Sequence, residues 1–190
     1  MVVRRAAFIG IGANIGARRQ NIARAVQEIG AMSGVELLAL SSLFQNRPVG
    51  FESRHLFLNG VLAVSLSDQI SPMKLMSGLL EIERRLGRDR GAGMDRTIDL
   101  DLLHVEGIRI HELGPPALTL PHPRIGDRPF VLIPWAEIAP QVVPAGLGRS
   151  IIQMLKQMLK AHPDAQEGLE RESRPVLYKR HPLIQISKAH

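Results

Sequence analysis

Apolar and polar positions follow two rhythms along this chain. Residues 5–13 are an apolar run ending among glycines, which predicts a strand closed by a tight turn. Over residues 17–32, Ile22, Val26 and Ile29 recur at spacings of four and three and predict a helix with one apolar stripe. Residues 35–44 and 56–66 read as strands, joined by a loop that holds Pro48 and Gly50. Ser71 and Pro72 mark a helix start, because serine caps free N–H groups and proline suits the first turn. Leu75, Leu79, Ile82 and Leu86 form its stripe, and Gly87 ends it. Residues 97–105 predict a strand, 114–123 proline-rich turns, and 151–159 a last helix.

Strand, helix, strand, strand, helix, strand is the split β-α-β order. It predicts an α/β chain of the α+β kind: a ferredoxin-like sandwich, with helices packed on an antiparallel sheet. A length of 190 residues suits one domain. We place it at residues 1–161, with 162–190 as a weakly ordered or surface-lying tail broken by Pro163, Pro175 and Pro182.

Composition removes several classes of function. The chain has no cysteine, which excludes disulfides, Cys-ligated zinc and thiol catalysis. No apolar run approaches the ~18–20 residues of a membrane span. Glycines interrupt the apolar stretch after the basic first residues, so a signal peptide is not expected and the reading is cytoplasmic. The net charge of +6 suits an anionic ligand. Arg84, Arg85, Arg88, Arg90 and Arg96 are interleaved with Asp89, Asp95, Asp99 and Asp101. A nucleic-acid arm would be basic without those acids; the mixture points to phosphate together with a metal ion.

The sharpest chemical signal is Arg96-Thr97-Ile98-Asp99-Leu100-Asp101. Side chains alternate across a strand, so Asp99 and Asp101 share a face while Ile98, Leu100 and Leu102 point into the core. Two carboxylates ~6–7 Å apart repel unless a cation lies between them, and Mg²⁺ takes carboxylate oxygens together with substrate phosphates. Arg88 and Arg90, in a glycine-containing loop, offer planar forks that match phosphate oxygens. Prolines around His122 and Arg128 hold both in place, and His122 can donate a hydrogen bond to phosphate. Phe57 and Phe130 are two of only seven aromatic residues, and a flat heterocycle binds well between two rings. Asn59, on the same strand face as Phe57, offers an amide donor and acceptor to such a ring's edge.

In order along the chain, these segments resemble the 6-hydroxymethyl-7,8-dihydropterin pyrophosphokinase family over residues 5–159. The resemblance also rests on Asn46-Arg47-Pro48-Val49-Gly50, Pro121-His122-Pro123-Arg124, Arg128-Pro129-Phe130-Val131-Leu132 and Glu137-Ile138-Ala139-Pro140. It implies transfer of pyrophosphate from ATP to the pterin in folate synthesis. It also implies two Mg²⁺ ions held by Asp99 and Asp101, and ATP phosphates positioned by Arg88, Arg90 and Arg96. Nucleotide contacts at Glu83, Thr119, His122 and Arg128 follow from it, as does a pterin pocket of Asn46, Val49, Phe57, Asn59 and Phe130. The expected partners are ATP and a reduced pterin, with no nucleic acid and no membrane. Gly93-Met94-Asp95 departs from the Trp-Gly-Pro common in the family. That motivates an alternative, a catalytically weakened relative that binds pterin or nucleotide; a further alternative is an RNA-binding ferredoxin-like module.

Overall fold

In the computed structural model, which describes residues 4–91, 93–173 and 176–177, the first apolar run becomes a central strand, β1 (Arg4–Ala13). Its alternate residues serve two cores. Ala7, Ile9, Ile11 and Ala13 face two helices, α1 (Arg18–Gly30) and α2 (Pro72–Arg85). Ala6 and Phe8 face the other side. The apolar stripes place Ile22, Val26 and Ile29 of α1 and Leu75, Leu79 and Ile82 of α2 against the sheet. Ser71 caps α2, its hydroxyl accepting from Lys74 N at 3.1 Å.

The remaining strands are β2 (Val35–Leu40), β3 (Phe44–Asn46), β4 (Phe57–Ser67) and β5 (Asp99–Val105). They pair antiparallel in the order β5-β1-β4-β2, with β3 continuing beside β4. This is the expected α+β sandwich. The long predicted strand at 35–44 divides at residues 41–43. There the Ser41 hydroxyl takes the Val61 N–H at 2.9 Å, so a side chain substitutes for ladder pairing. The last predicted strand begins at Asp99 rather than Thr97. Arg96 is bonded to Asn14 instead: its N–H donates to Asn14 Oδ1 at 2.7 Å and its carbonyl accepts from Asn14 N at 3.1 Å.

Helices cover the second face as well. α3 (Pro129–Ile138) and α4 (Ile151–Ala161) bury Leu132, Trp135 and Ile151 against Phe8, Val61 and Leu103. The aromatics that an RNA-reading sheet face would present are inside: Phe8 is wholly buried and Phe57 nearly so. α3 falls between the predicted turns at 114–123 and the predicted last helix, where no element is expected. Apart from Glu137 it is apolar, so no helical period shows, and Pro129 and Pro134 lie within it. A short hairpin, β6 (Ile110–Glu112) with β7 (Leu118–Leu120), likewise occupies part of the proline-rich turn region.

The segment assigned to the tail contains a 3₁₀ turn (Pro163–Gln166) and two short strands, β8 (Glu170–Arg171) and β9 (Val176–Leu177). They pair with β3 and β2. Residues 178–190 lie outside the described residues. Among the described residues no helix is long and apolar enough to cross a membrane.

His104 sits in the second core at 2% exposure, stacked on Phe8 with ring centroids 6.3 Å apart. Its Nδ1 has no hydrogen-bond partner among the described residues, and burial pulls its pKa down to about 4. The unfolded chain binds this proton near the ordinary value of ~6.5 and the folded chain does not, so stability falls as pH drops through that interval. Between about pH 7 and pH 5, His104 is expected to remove about 2 kcal/mol of unfolding free energy. Urea unfolding at both pH values checks this, with His104→Phe expected to lose that part of the slope.

Candidate active site

The covered face of the sheet runs out at one end, and the site begins there. Phe8, Val61 and Leu103 lie beneath α3 and α4. One step further along each strand stand Gly10 and Gly12 on β1, Asn59 on β4, and Asp99 and Asp101 on β5. Gly12 is paired with both Asn59 and Asp99, and Gly10 with Asp101. The intervening Ile98, Leu100 and Leu102 are buried against α1 and α2, as the alternation predicts. Above this floor lies a cavity of about 470 Å³. Gly12 has a steric reason to be glycine: an added Cβ would stand 2.5 Å from Asn59 Oδ1.

The cationic side is built by the way α2 ends. Gly87 takes a φ of 81°. The Gly87 N–H then bonds the Arg84 carbonyl at 3.1 Å, and the Arg88 N–H bonds the Glu83 carbonyl at 3.0 Å. This is a Schellman closure, which glycine favours because it tolerates the left-handed backbone. The closure brings Arg88 back beside Glu83. The Arg88 guanidinium bridges Glu83 and Asp99, and Arg90 reaches the second Glu83 oxygen at 2.5 Å. Arg96 pairs with Asp99 at 3.1 Å and Arg128 with Asp101 at 3.1 Å. Glu83 is 1% exposed and also accepts the Leu100 N–H at 2.7 Å. Burial pushes its carboxyl up, opposed by that N–H, Arg88 and Arg90.

The opposite side is aromatic and amide. Phe57 meets Phe51 edge-on with centroids 5.9 Å apart. The Arg96 guanidinium lies 5.0 Å from the Phe57 ring centre and that of Arg128 lies 5.7 Å from Phe130. Asn59 Nδ2 donates to Asn46 Oδ1 at 2.7 Å. Val49 and Met94 are the exposed rim, at 63% and 54% exposure. Asp95 joins the loops beneath that rim. It accepts from Asn14 Nδ2 at 2.5 Å, and hydrogen bonds from Ser53 and Asn14 help hold its carboxyl low.

The cavity therefore brings together Asn46, Val49, Phe57, Asn59, Arg88, Arg90, Arg96, Asp99, Asp101, Arg128 and Phe130. Three expected residues stand outside its lining. Glu83 sits behind it, reaching it through Arg88 and Arg90. Thr119 lies on the β6–β7 hairpin, hydrogen-bonded to His111 at 3.2 Å. His122 is anchored by its N–H to the Leu103 carbonyl at 2.8 Å, and its Nδ1 accepts from Arg124 N at 3.2 Å. Burial lowers the His122 pKa while the nearby Asp101 opposes the shift. With Nδ1 accepting, the neutral ring carries its proton on Nε2.

Sequence reasoning missed Phe51, Arg124 and Asp127, which also line the cavity. Phe51 follows Val49-Gly50 directly and is one of few aromatics, which was the available signal. Arg124 and Asp127 fall in the proline-stiffened segments around His122 and Arg128, which was their signal, but no role was read for either.

Among the described residues no group of three or more His, Cys, Asp or Glu side chains is placed to hold a metal ion. Two hard carboxylates remain, Asp99 and Asp101, facing a cavity with room for further oxygen ligands.

Residues 8–140 match the family model described as 7,8-dihydro-6-hydroxymethylpterin-pyrophosphokinase (HPPK). A 2-amino-4-hydroxy-6-hydroxymethyldihydropteridine pyrophosphokinase of Synechocystis is 39% identical over 153 residues, 80% of this chain and 75% of the relative. One of Methylorubrum extorquens is 37% identical over 141 residues, 74% of this chain and 86% of the relative. Among solved structures, an HPPK-DHPS in complex with substrates superposes with a TM-score of 0.69 at 11% identity, covering 88% of this chain and 46% of its own. A Plasmodium falciparum HPPK-DHPS gives 0.67 at 12%, covering 93% and 50%. These two support the fold, and the chain spans about half of their length.

Proposed function

Because this chain belongs to the 7,8-dihydro-6-hydroxymethylpterin-pyrophosphokinase family, we propose that the cavity is where it transfers pyrophosphate from ATP to 6-hydroxymethyl-7,8-dihydropterin, a step of folate synthesis. The hydroxymethyl oxygen attacks the β-phosphorus of ATP. The bond from that phosphorus to the oxygen bridging to the α-phosphate breaks, AMP leaves, and the hydroxyl proton passes to solvent.

One observation carries the reading. A single cavity holds four arginines and two same-face carboxylates together with aromatic rings and a paired amide, and the two sets meet where Arg96 and Arg128 lie against Phe57 and Phe130. Polyphosphate suits the first set and a flat, amide-edged heterocycle the second. Transfer of this kind depends chiefly on positioning and charge stabilisation. Arg88, Arg90, Arg96 and Arg128 supply fork donors to phosphate oxygens once they exchange their carboxylate partners for ligand. Phe57 and Phe130 hold the pterin plane, and Asn59 and Asn46 read its amide edge. Val49, Phe51 and Met94 form a rim that excludes water. His122 Nε2–H is a neutral donor for the nucleotide end.

Asp99 and Asp101 fit Mg²⁺ by donor type, hard oxygens open to the cavity, and we assign two ions to them. When bound, Mg²⁺ supplies charge neutralisation and orientation of the polyphosphate.

The test is AMP release from ATP and Mg²⁺, with and without the pterin. Pterin-dependent AMP is the expected result. ATP and pterin binding without AMP would instead support the weakened-relative reading motivated by Gly93-Met94-Asp95.

A further inference from the structure

The family match ends at residue 140, yet residues further on pair with β3, the strand that carries Asn46 into the cavity. β8 pairs antiparallel with β3, Arg171 opposite Phe44 and Glu170 opposite Gln45. The Leu43 backbone is held twice: its carbonyl accepts from Glu172 N at 2.7 Å, and its N–H donates to Ser173 Oγ at 2.8 Å. Arg171 turns toward the helix layer. Its Nε donates to Ser42 Oγ at 2.8 Å and its Nη2 to Glu137 on α3 at 2.5 Å. The other Glu137 oxygen accepts the Ser42 N–H at 2.9 Å.

These bonds converge on two walls of one subsite. β3 has three residues, and its last is Asn46, the hydrogen-bond partner of Asn59. α3 carries Phe130 near its start and Glu137 near its end. A three-residue strand bonded on one edge only opens readily, and Ser42 and Leu43 are buried, so unpaired polar groups there are costly. The phosphate-side arginines Arg88, Arg90 and Arg96 lie on a different segment, the α2–β5 connection.

We propose that Glu170–Ser173 is a positioning strap for the heterocycle subsite, with Arg171 its principal residue, locking β3 to α3 so that Asn46 meets the pterin in register. The inference rests on the pterin assignment above and adds to it a specificity element supplied by the C-terminal segment. Arg171 acts through Asn46 and touches no substrate itself.

The experiment uses the full-length chain. Pterin affinity is measured by calorimetry with α,β-methylene ATP present, and kcat and both KM values by AMP release, at a temperature where every variant is folded by circular dichroism. In Arg171→Ala, pterin Kd and KM are expected to rise about tenfold, the part of the cost of its two lost hydrogen bonds that passes through Asn46 to the ligand. ATP KM and kcat stay within about twofold, the pattern of lost uniform binding of one substrate. Arg171→Lys, which keeps the charge facing Glu137, restores most of the loss. Glu172→Pro deletes the N–H to Leu43 and reproduces the pterin defect, whereas Glu172→Ala, which keeps that N–H, does not. Unchanged pterin binding in Arg171→Ala and Glu172→Pro overturns the strap, as does equal weakening for ATP and pterin. A wild-type chain that binds ATP but no pterin overturns the pterin assignment, and the strap falls with it.

Discussion

Asp101→Ala is expected to cut pterin-dependent AMP release by roughly 10³-fold, the equivalent of about 4 kcal/mol in the transition state. The side chain is a third exposed and its partner is Arg128 at 3.1 Å, so truncation should change stability by less than about 1 kcal/mol. Two consequences separate a chemical role from a structural one. Arg128 loses its carboxylate and the cavity becomes more positive, so metal-free ATP binds at least as well as to the parent protein. Only the Mg²⁺-dependent gain disappears. Asp101→Asn keeps an acceptor for Arg128 but loses the anionic ligand, and should fall as far in turnover. AMP release and nucleotide titrations with and without Mg²⁺ measure both. Near-normal turnover in either variant means the metal is held elsewhere.

Glu83→Ala should have the largest effect on stability, a loss of roughly 3–5 kcal/mol. The cost comes from what is left behind. The Leu100 N–H is buried and loses its 2.7 Å acceptor. Arg88, only 12% exposed at its side chain, keeps Asp99 as its single partner, and Arg90 is released. A buried ion pair contributes little net, but breaking one strands a charge. Glu83→Gln retains an oxygen for Leu100 and should lose markedly less. Urea midpoints of the three proteins test the order; an alanine variant as stable as the parent would show that water replaces the carboxylate at no cost.

The parts legible in the sequence were those where one local period has one meaning. β5 alternates in twos, and its acids and aliphatics went to opposite faces as read. The stripe of α2, its serine start and its glycine stop were equally plain, because each has a local mechanical cause. α3 was hidden for a physical reason: a helix that is apolar on nearly every face shows no period, and its two prolines imitate turns. The division of β2 from β3 depends on the Ser41 hydroxyl meeting a strand twenty residues later, which nothing local announces. In the site, like charges on one strand and arginines on one loop advertised themselves. Thr119 and His122, taken from resemblance, stand beside the cavity instead of in its lining. The web linking Glu83 to Arg88 and Arg90 lies within one short stretch of sequence, but it depends on the closure at Gly87 turning the chain back onto α2, and its further link to Asp99 joins a separate strand.

The floor of the cavity has a consequence for how this protein could evade an inhibitor. Gly12 cannot acquire a side chain without displacing Asn59, and Asp99 and Asp101 cannot change without surrendering the proposed metal site. A compound resting on those positions would meet residues that selection cannot freely alter. Val49 and Met94 are exposed and unconstrained by such contacts, so a compound that leans on the rim would hand the organism its route to resistance.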